Sequence, residues 1–144
     1  MTIPVHPTNP PPGFEQMPTF GPFHELVGPL YVARRDAIHI VGLRVEDKHR
    51  NRGAMMHGGM ICMLADTAIV WAAKHAREPR PKMLTTNLSV NLIGNAPPGA
   101  WVEAQVDVVR AGRRVVFANC YIWSQGQRIA QATAQCQVIG EETA

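Results

Sequence analysis

The chain has 144 residues, 46% of them hydrophobic, with 14 Lys+Arg against 11 Asp+Glu and a net charge of +3. This length suits one domain that builds an ordinary core without metals or disulfides. The mild positive excess favours an anionic small molecule. No basic block points to nucleic acid, the nearest cluster being Arg110, Arg113 and Arg114.

Residues 1–24 read as a proline-rich arm, with Pro4, Pro7, Pro10, Pro11, Pro12, Pro18 and Pro22. Proline fixes φ and removes backbone donors, so the arm is expected to be extended. A single domain is expected over 25–140, with a short tail at 141–144. Pro29–Ala33 and Ala37–Val45 read as strands, turned by Arg35 and Asp36. Polar, glycine-containing Glu46–Ala54 reads as a loop. From Gly59 to about His75 the chain predicts a helix that is apolar nearly all round, which marks a buried one. Pro79 and Pro81 end it in a loop over Glu78–Lys82. Alternation then predicts strands over Leu84–Ile93, Trp101–Val109, Val115–Trp123 and Arg128–Val138, with a tight turn at Ala111 and Gly112. The plan is α+β: two strands, a buried helix and a four-strand antiparallel meander.

Cys62, Cys120 and Cys136 form an odd set without CxxC spacing. That argues against a disulfide framework or zinc site and fits a reducing cytoplasm. The histidines show no metal spacing. No basic stretch precedes an apolar run at the N-terminus, so no signal peptide is expected. The longest apolar region, Met60–Ala73, is too short for a membrane span and contains Asp66.

The chemistry concentrates between Asn51 and Asp66. The predicted helix opens with His57-Gly58-Gly59 where a Ser, Thr, Asp or Asn cap is usual. Glycines there let a ligand approach free N–H groups at the positive helix end, a place suited to an oxyanion. Asp66 interrupts an apolar helix, where an unpaired carboxylate needs a partner or a purpose. Desolvated, it is a candidate general base or nucleophile. Eight residues separate Gly58 from Asp66, about 12 Å along a helix. One copy struggles to bring both groups to one carbonyl, so an obligate dimer with shared sites is expected.

Asn51, His57-Gly58-Gly59 and Leu64-Ala65-Asp66, followed by Thr85-Thr86-Asn87-Leu88, resemble the hotdog-fold thioesterases, in particular the phenylacetate-pathway (PaaI-like) acyl-CoA thioesterase group. The resemblance covers roughly Leu30 to Val138. It implies a long central helix wrapped by a curved antiparallel sheet, with dimers often pairing into tetramers. It further implies that Gly58 N–H polarises the thioester carbonyl and that Asn51 positions carbonyl or water. His57 would orient the loop, Asp66 of the partner subunit would activate water or attack directly, and Thr85 would hold water or carboxylate. Asn87 stands where the group more often has Asp. Gly59 joins the substrate-binding candidates.

Blander roles stand beside these. Asn51 could cap a turn, and Thr85 could be an ordinary strand threonine one position from the functional one. Arg110, Arg113 and Arg114 are either routine exposed charge at a hairpin or a grip on the phosphates of CoA. The leading function is acyl-CoA thioesterase, with coenzyme A as part of the substrate and no separate cofactor. An aromatic or medium-length acyl group would suit the apolar helix. A hydratase or dehydratase of acyl thioesters and a non-catalytic acyl-CoA-binding module are the alternatives. No GxSxG elbow, P-loop, Rossmann fingerprint or HExxH occurs.

Overall fold

A computed structural model describes residues 10–18 and 21–142. Residues 1–9 and 19–20 of the proline-rich arm, including Pro4 and Pro7, and the end of the tail lie outside the described residues. The elements run β1 (Glu15–Gln16), α1 (Pro22–Val27), β2 (Tyr31–Arg35), β3 (Ile38–Arg44), a 3-10 turn (Asp47–His49), α2 (Gly58–Lys74), β4 (Pro81–Leu92), β5 (Trp101–Ala111), β6 (Val115–Ser124) and β7 (Gln127–Glu141).

All the described strands form one antiparallel sheet in the order β1-β2-β3-β5-β6-β7-β4. The expected four-strand meander is therefore corrected. β5, β6 and β7 form a meander, but β4 crosses over to pair with β7 at the far edge. Alternation predicts that a strand exists and which face is apolar; it carries no information about its neighbour. The β6–β7 hairpin turns on Gln125 and Gly126, both with positive φ, as a two-residue turn between twisted strands requires. The β5–β6 connection is Gly112-Arg113-Arg114, one residue further on than expected.

α2 packs against β3, β4, β5, β6 and β7, so the sheet clasps it. Ile61, Leu64, Ala65, Ala68, Ile69, Ala72 and Ala73 are buried along it. Each large apolar side chain so buried contributes about 1.5–3 kcal/mol. The small alanines let the helix approach strand residues such as Val41, Val102, Ala104 and Ile122, all fully covered. The helix is not enclosed all round: Cys62, Met63, Asp66 and Val70 form a half-open stripe at helical spacing.

Two elements escape the sequence patterns. β1 adds two residues to the β2 edge, with Glu15 opposite Val32. The short α1 is tethered by His24 Nε2, 3.2 Å from Thr67 Oγ1 of α2. Buried His49 holds the loop beneath α1: Glu46 N–H donates to its Nδ1, and its Nε2 lies 2.5 Å from Val27 O.

Candidate active site

Asp66 lies at mid-helix on the half-open stripe. Thr85 Oγ1 on β4 donates to its Oδ1 at 2.7 Å. No described residue donates to Oδ2, and Asp66 is half-buried within the chain. The full burial anticipated for this acid is therefore not met within the chain, because no described residue covers the stripe around it.

The ambiguity between Thr85 and Thr86 is resolved by a β-bulge. The β4–β7 register shifts between Thr85 and Asn87. Such a shift puts an extra residue into one strand and re-aims its side chains. Thr85 consequently points at the helix, while exposed Thr86 donates to Gln135 O at 3.2 Å. Past the bulge Leu88 and Val90 pack on the core, and Leu92 reaches the helix start.

Behind Thr85 lies Cys136, with Sγ 3.9 Å from Oγ1. Burial pushes this thiol up from the usual cysteine range. The hydrogen bond with Thr85 opposes that shift, and the charge of Asp66 adds to it. Burial likewise pushes Cys120 up to about 12. A thiol held protonated is a poor nucleophile.

At the helix start, the expectation of an uncapped end is overturned. His57 is itself the N-cap, and its Nδ1 accepts from Gly59 N–H at 2.8 Å. The proton of the neutral ring is then on Nε2. Gly59 N–H is thus occupied, whereas Gly58 N–H meets no acceptor among the described residues. A Cβ on Gly58 would lie 2.9 Å from Leu92 Cδ1, and one on Gly59 would lie 3.0 Å from His57 Nδ1. Ring capping by histidine explains why glycine suits position 59, and no pattern of cap residues would have indicated it.

Asn51 organises the loop that delivers His57. Its Oδ1 accepts from Gly53 N–H at 2.8 Å and Met55 N–H at 3.1 Å. Its backbone N–H donates to Met55 O, and Ala54 takes φ 64 within this tight turn. His57 N–H then donates to the carbonyl of His49 at 2.8 Å. The turn-capping role of Asn51 is present in the structure, with its amide nitrogen remaining for any further contact.

Within one chain, Asp66 and Thr85 are joined, and Asn51, His57, Gly58 and Gly59 gather at the helix tip. The two groups remain a helix length of about 12 Å apart. Arg110, Arg113 and Arg114 sit elsewhere, around the β5–β6 hairpin. Among the described residues no group of three His, Cys, Asp or Glu side chains is placed to hold a metal.

A long helix clasped by an antiparallel sheet, with an acid at mid-helix, defines a hotdog-fold protein. The family model described as Thioesterase superfamily matches residues 53–131. The chain is 35% identical over 127 residues to Pseudomonas aeruginosa PA0474, a provisionally named esterase, covering 87% of this chain and 94% of that protein. Among solved structures it is similar to a mutant of the phenylacetic acid degradation protein PaaI from Thermus thermophilus. That match has 26% identity and a TM-score of 0.71, covering 83% of this chain and 100% of the other. It is also similar in fold to smu.793 of Streptococcus mutans, solved bound to acetyl CoA, at 22% identity and a TM-score of 0.73, covering 81% and 94%. The chain belongs to the thioesterase superfamily.

Proposed function

We propose that the protein hydrolyses acyl-CoA thioesters at sites shared between two copies of the chain, with Asp66 from one and the Gly58 helix tip from the other. The observation that carries this reading is the Thr85–Asp66 pair beside an unpaired sheet edge. Thr85 fixes one carboxylate oxygen and leaves the other open. β4 has a partner on one side only, and the apolar stripe around Asp66 is half-exposed next to it.

An edge strand with exposed apolar residues, here Leu84 and Leu92, invites pairing. A two-fold axis near Leu88 and Ser89 would bring Thr85 of one copy level with Leu92 of the other. Leu92 contacts Gly58 in its own chain, so the same axis brings each Asp66 towards the other copy's helix tip. Covering the stripe would also dry the site and strengthen its electrostatics.

In the hydrolytic step, Asp66 Oδ2 takes a proton from water and the water oxygen bonds to the thioester carbonyl carbon. The carbonyl oxygen becomes an oxyanion facing Gly58 N–H and the helix dipole. The C–S bond then breaks, and the coenzyme A thiol leaves with the proton. Direct attack by Oδ2, giving a mixed anhydride that water cleaves, uses the same groups. Oxygen-18 from water appearing in Asp66 after one turnover selects the anhydride route. Coenzyme A enters as part of the substrate, consistent with the acetyl CoA held by smu.793. The three free cysteines favour a reducing cytoplasm as the setting. No described helix is long and apolar enough to cross a membrane.

Mixed dimers test the shared site. Asp66→Ala and Gly58→Val chains should each be inactive in thiol release from acyl-CoA. A mixed dimer retains one site with both groups intact, so co-expression should restore activity. Verified heterodimers that stay inactive would overturn the arrangement across two chains.

A further inference from the structure

We infer that Cys136 is a positioning residue: its S–H donates to Thr85 Oγ1 and so keeps the hydroxyl hydrogen of Thr85 on Asp66. This deepens the thioesterase reading and rests on it. Cys136 Sγ lies 3.9 Å from Thr85 Oγ1, which itself lies 2.7 Å from Asp66 Oδ1.

The direction of each bond follows from counting hydrogens. A threonine hydroxyl has one hydrogen and two lone pairs, and an ionised carboxylate only accepts. The bond to Asp66 spends that hydrogen, so the oxygen of Thr85 can only accept from its other side. A thiol has a hydrogen to give. A thiolate at 136 would instead compete with Asp66 for the Thr85 hydrogen. Carboxyls as a class ionise well before thiols, so the carboxylate wins that competition. Burial holds the Cys136 thiol in its protonated form, and the charge of Asp66 acts in the same sense. The chain from S–H through O–H to carboxylate thus runs one way, and each bond polarises the next.

The fold brings the sulfur to the right place. Thr85 and Cys136 are directly paired between β4 and β7, so their side chains lie on the same face of the sheet. The bulge that aims Thr85 at the helix begins one residue later. The buried positions of β7 leading to this point are Ala130, Ala132 and Ala134, none with a hydrogen-bonding side chain. The run changes to cysteine opposite the threonine. Cys136 is fully buried, so Thr85 is the polar partner its thiol meets. The other fully buried cysteine, Cys120, has no such partner among the described residues, and burial alone acts on it. Without the thiol, the Thr85 hydroxyl is free to turn its hydrogen away from Oδ1. Asp66 then loses the anchor that aims Oδ2 at water.

The test uses Cys136→Ala, Thr85→Val and the double variant, read in two ways. The first is the infrared S–H stretching band, which drops in frequency when a thiol donates. The difference between wild type and Cys136→Ala isolates the Cys136 band, and the difference between Thr85→Val and the double variant isolates it without its acceptor. We expect the band at higher frequency in the Thr85→Val background. Comparing wild type directly with Thr85→Val reads the same shift with every cysteine in place. The second reading is turnover. Cys136→Ala should lower kcat about twofold to fivefold with KM unchanged, as loss of one weak S–H···O bond implies. In the Thr85→Val background the same change should leave kcat unmoved, because the sulfur acts through the hydroxyl. A band indifferent to Thr85→Val overturns the proposal. So does an equal loss of kcat in both backgrounds, which a packing role would give. If the band shifts but Asp66→Asn retains full turnover, the reading of Asp66 as base fails and the hydrogen-bonded chain stands.

Discussion

Thr85 Oγ1 and Asp66 Oδ1 are 2.7 Å apart, joining the edge strand of the sheet to the middle of the helix it clasps. This bond fixes the carboxylate plane, and only a β-bulge at Thr85 gives the threonine the right face. A general base contributes about 10²–10⁴-fold to rate. Asp66→Asn keeps the hydrogen bond from Thr85 and removes the proton acceptor. It should therefore lower kcat by that factor with little change in the thermal midpoint. Thiol release and a melting curve on the same preparation check both halves; activity within twofold of wild type would remove Asp66 from the chemistry.

The threonine itself can be separated from the acid. Thr85→Val keeps the strand shape and deletes the donor, whereas Thr85→Ser keeps the donor. Hydrogen bonds to charged groups are worth about 1.5–3 kcal/mol, so Thr85→Val should lower kcat/KM by about tenfold to a hundredfold. Thr85→Ser should recover most of that loss. Equal defects in the two variants would assign Thr85 a packing role instead.

The parts of this molecule legible in its sequence are those encoded locally. The helix over Gly59 to about His75 announces itself by its apolar run, and Asp66 stands out because a charge does not belong there. The strands around Val102, Val116 and Ala132 follow from alternation. What stayed hidden depends on distant partners. The pairing of β4 with β7 is a choice of neighbour, not of pattern. The bulge that selects Thr85 over Thr86 arises from that pairing. The His57 ring as helix cap, the contact of Leu92 with Gly58 and the docking of α1 through His24 all require the folded chain. Asp66 is half-exposed because no described residue of the chain covers the stripe around it.

Gly42 shows a structural role for glycine away from the site. A Cβ there would meet Trp101 Cζ2 at 2.1 Å, because the indole lies across the strand at that point. Trp101 is held in place by Phe14 edge-on at 5.0 Å, by Arg44 over its ring at 5.1 Å, and by its Nε1 donating to Glu103. The ring cannot move without breaking these contacts. Gly42→Ala should destabilise the fold by about 1–3 kcal/mol, read as a lower denaturation midpoint at unchanged m-value. Gly42→Ala/Trp101→Leu should lose less than the sum of the two single changes, because the clash disappears with the ring. Strict additivity would contradict the packing argument.

His39 supplies a pH dependence of stability independent of catalysis. Its ring lies 5.3 Å from that of His75, which in turn stacks 4.2 Å from Trp71. Burial lowers the His39 pKa below the ordinary histidine value, with His75 and then Arg34 adding to the effect. The native state therefore refuses a proton that the unfolded chain accepts. By linkage, this contribution is neutral well above the ordinary histidine pKa of about 6.5. Stability then declines as pH falls through that value, and the decline stops below the native pKa, where both states are protonated. Denaturation midpoints measured from pH 8 down to pH 5 should show the decline in wild type, and His39→Gln should flatten it. A variant curve parallel to wild type would show that the native ring takes up its proton as freely as the unfolded one does.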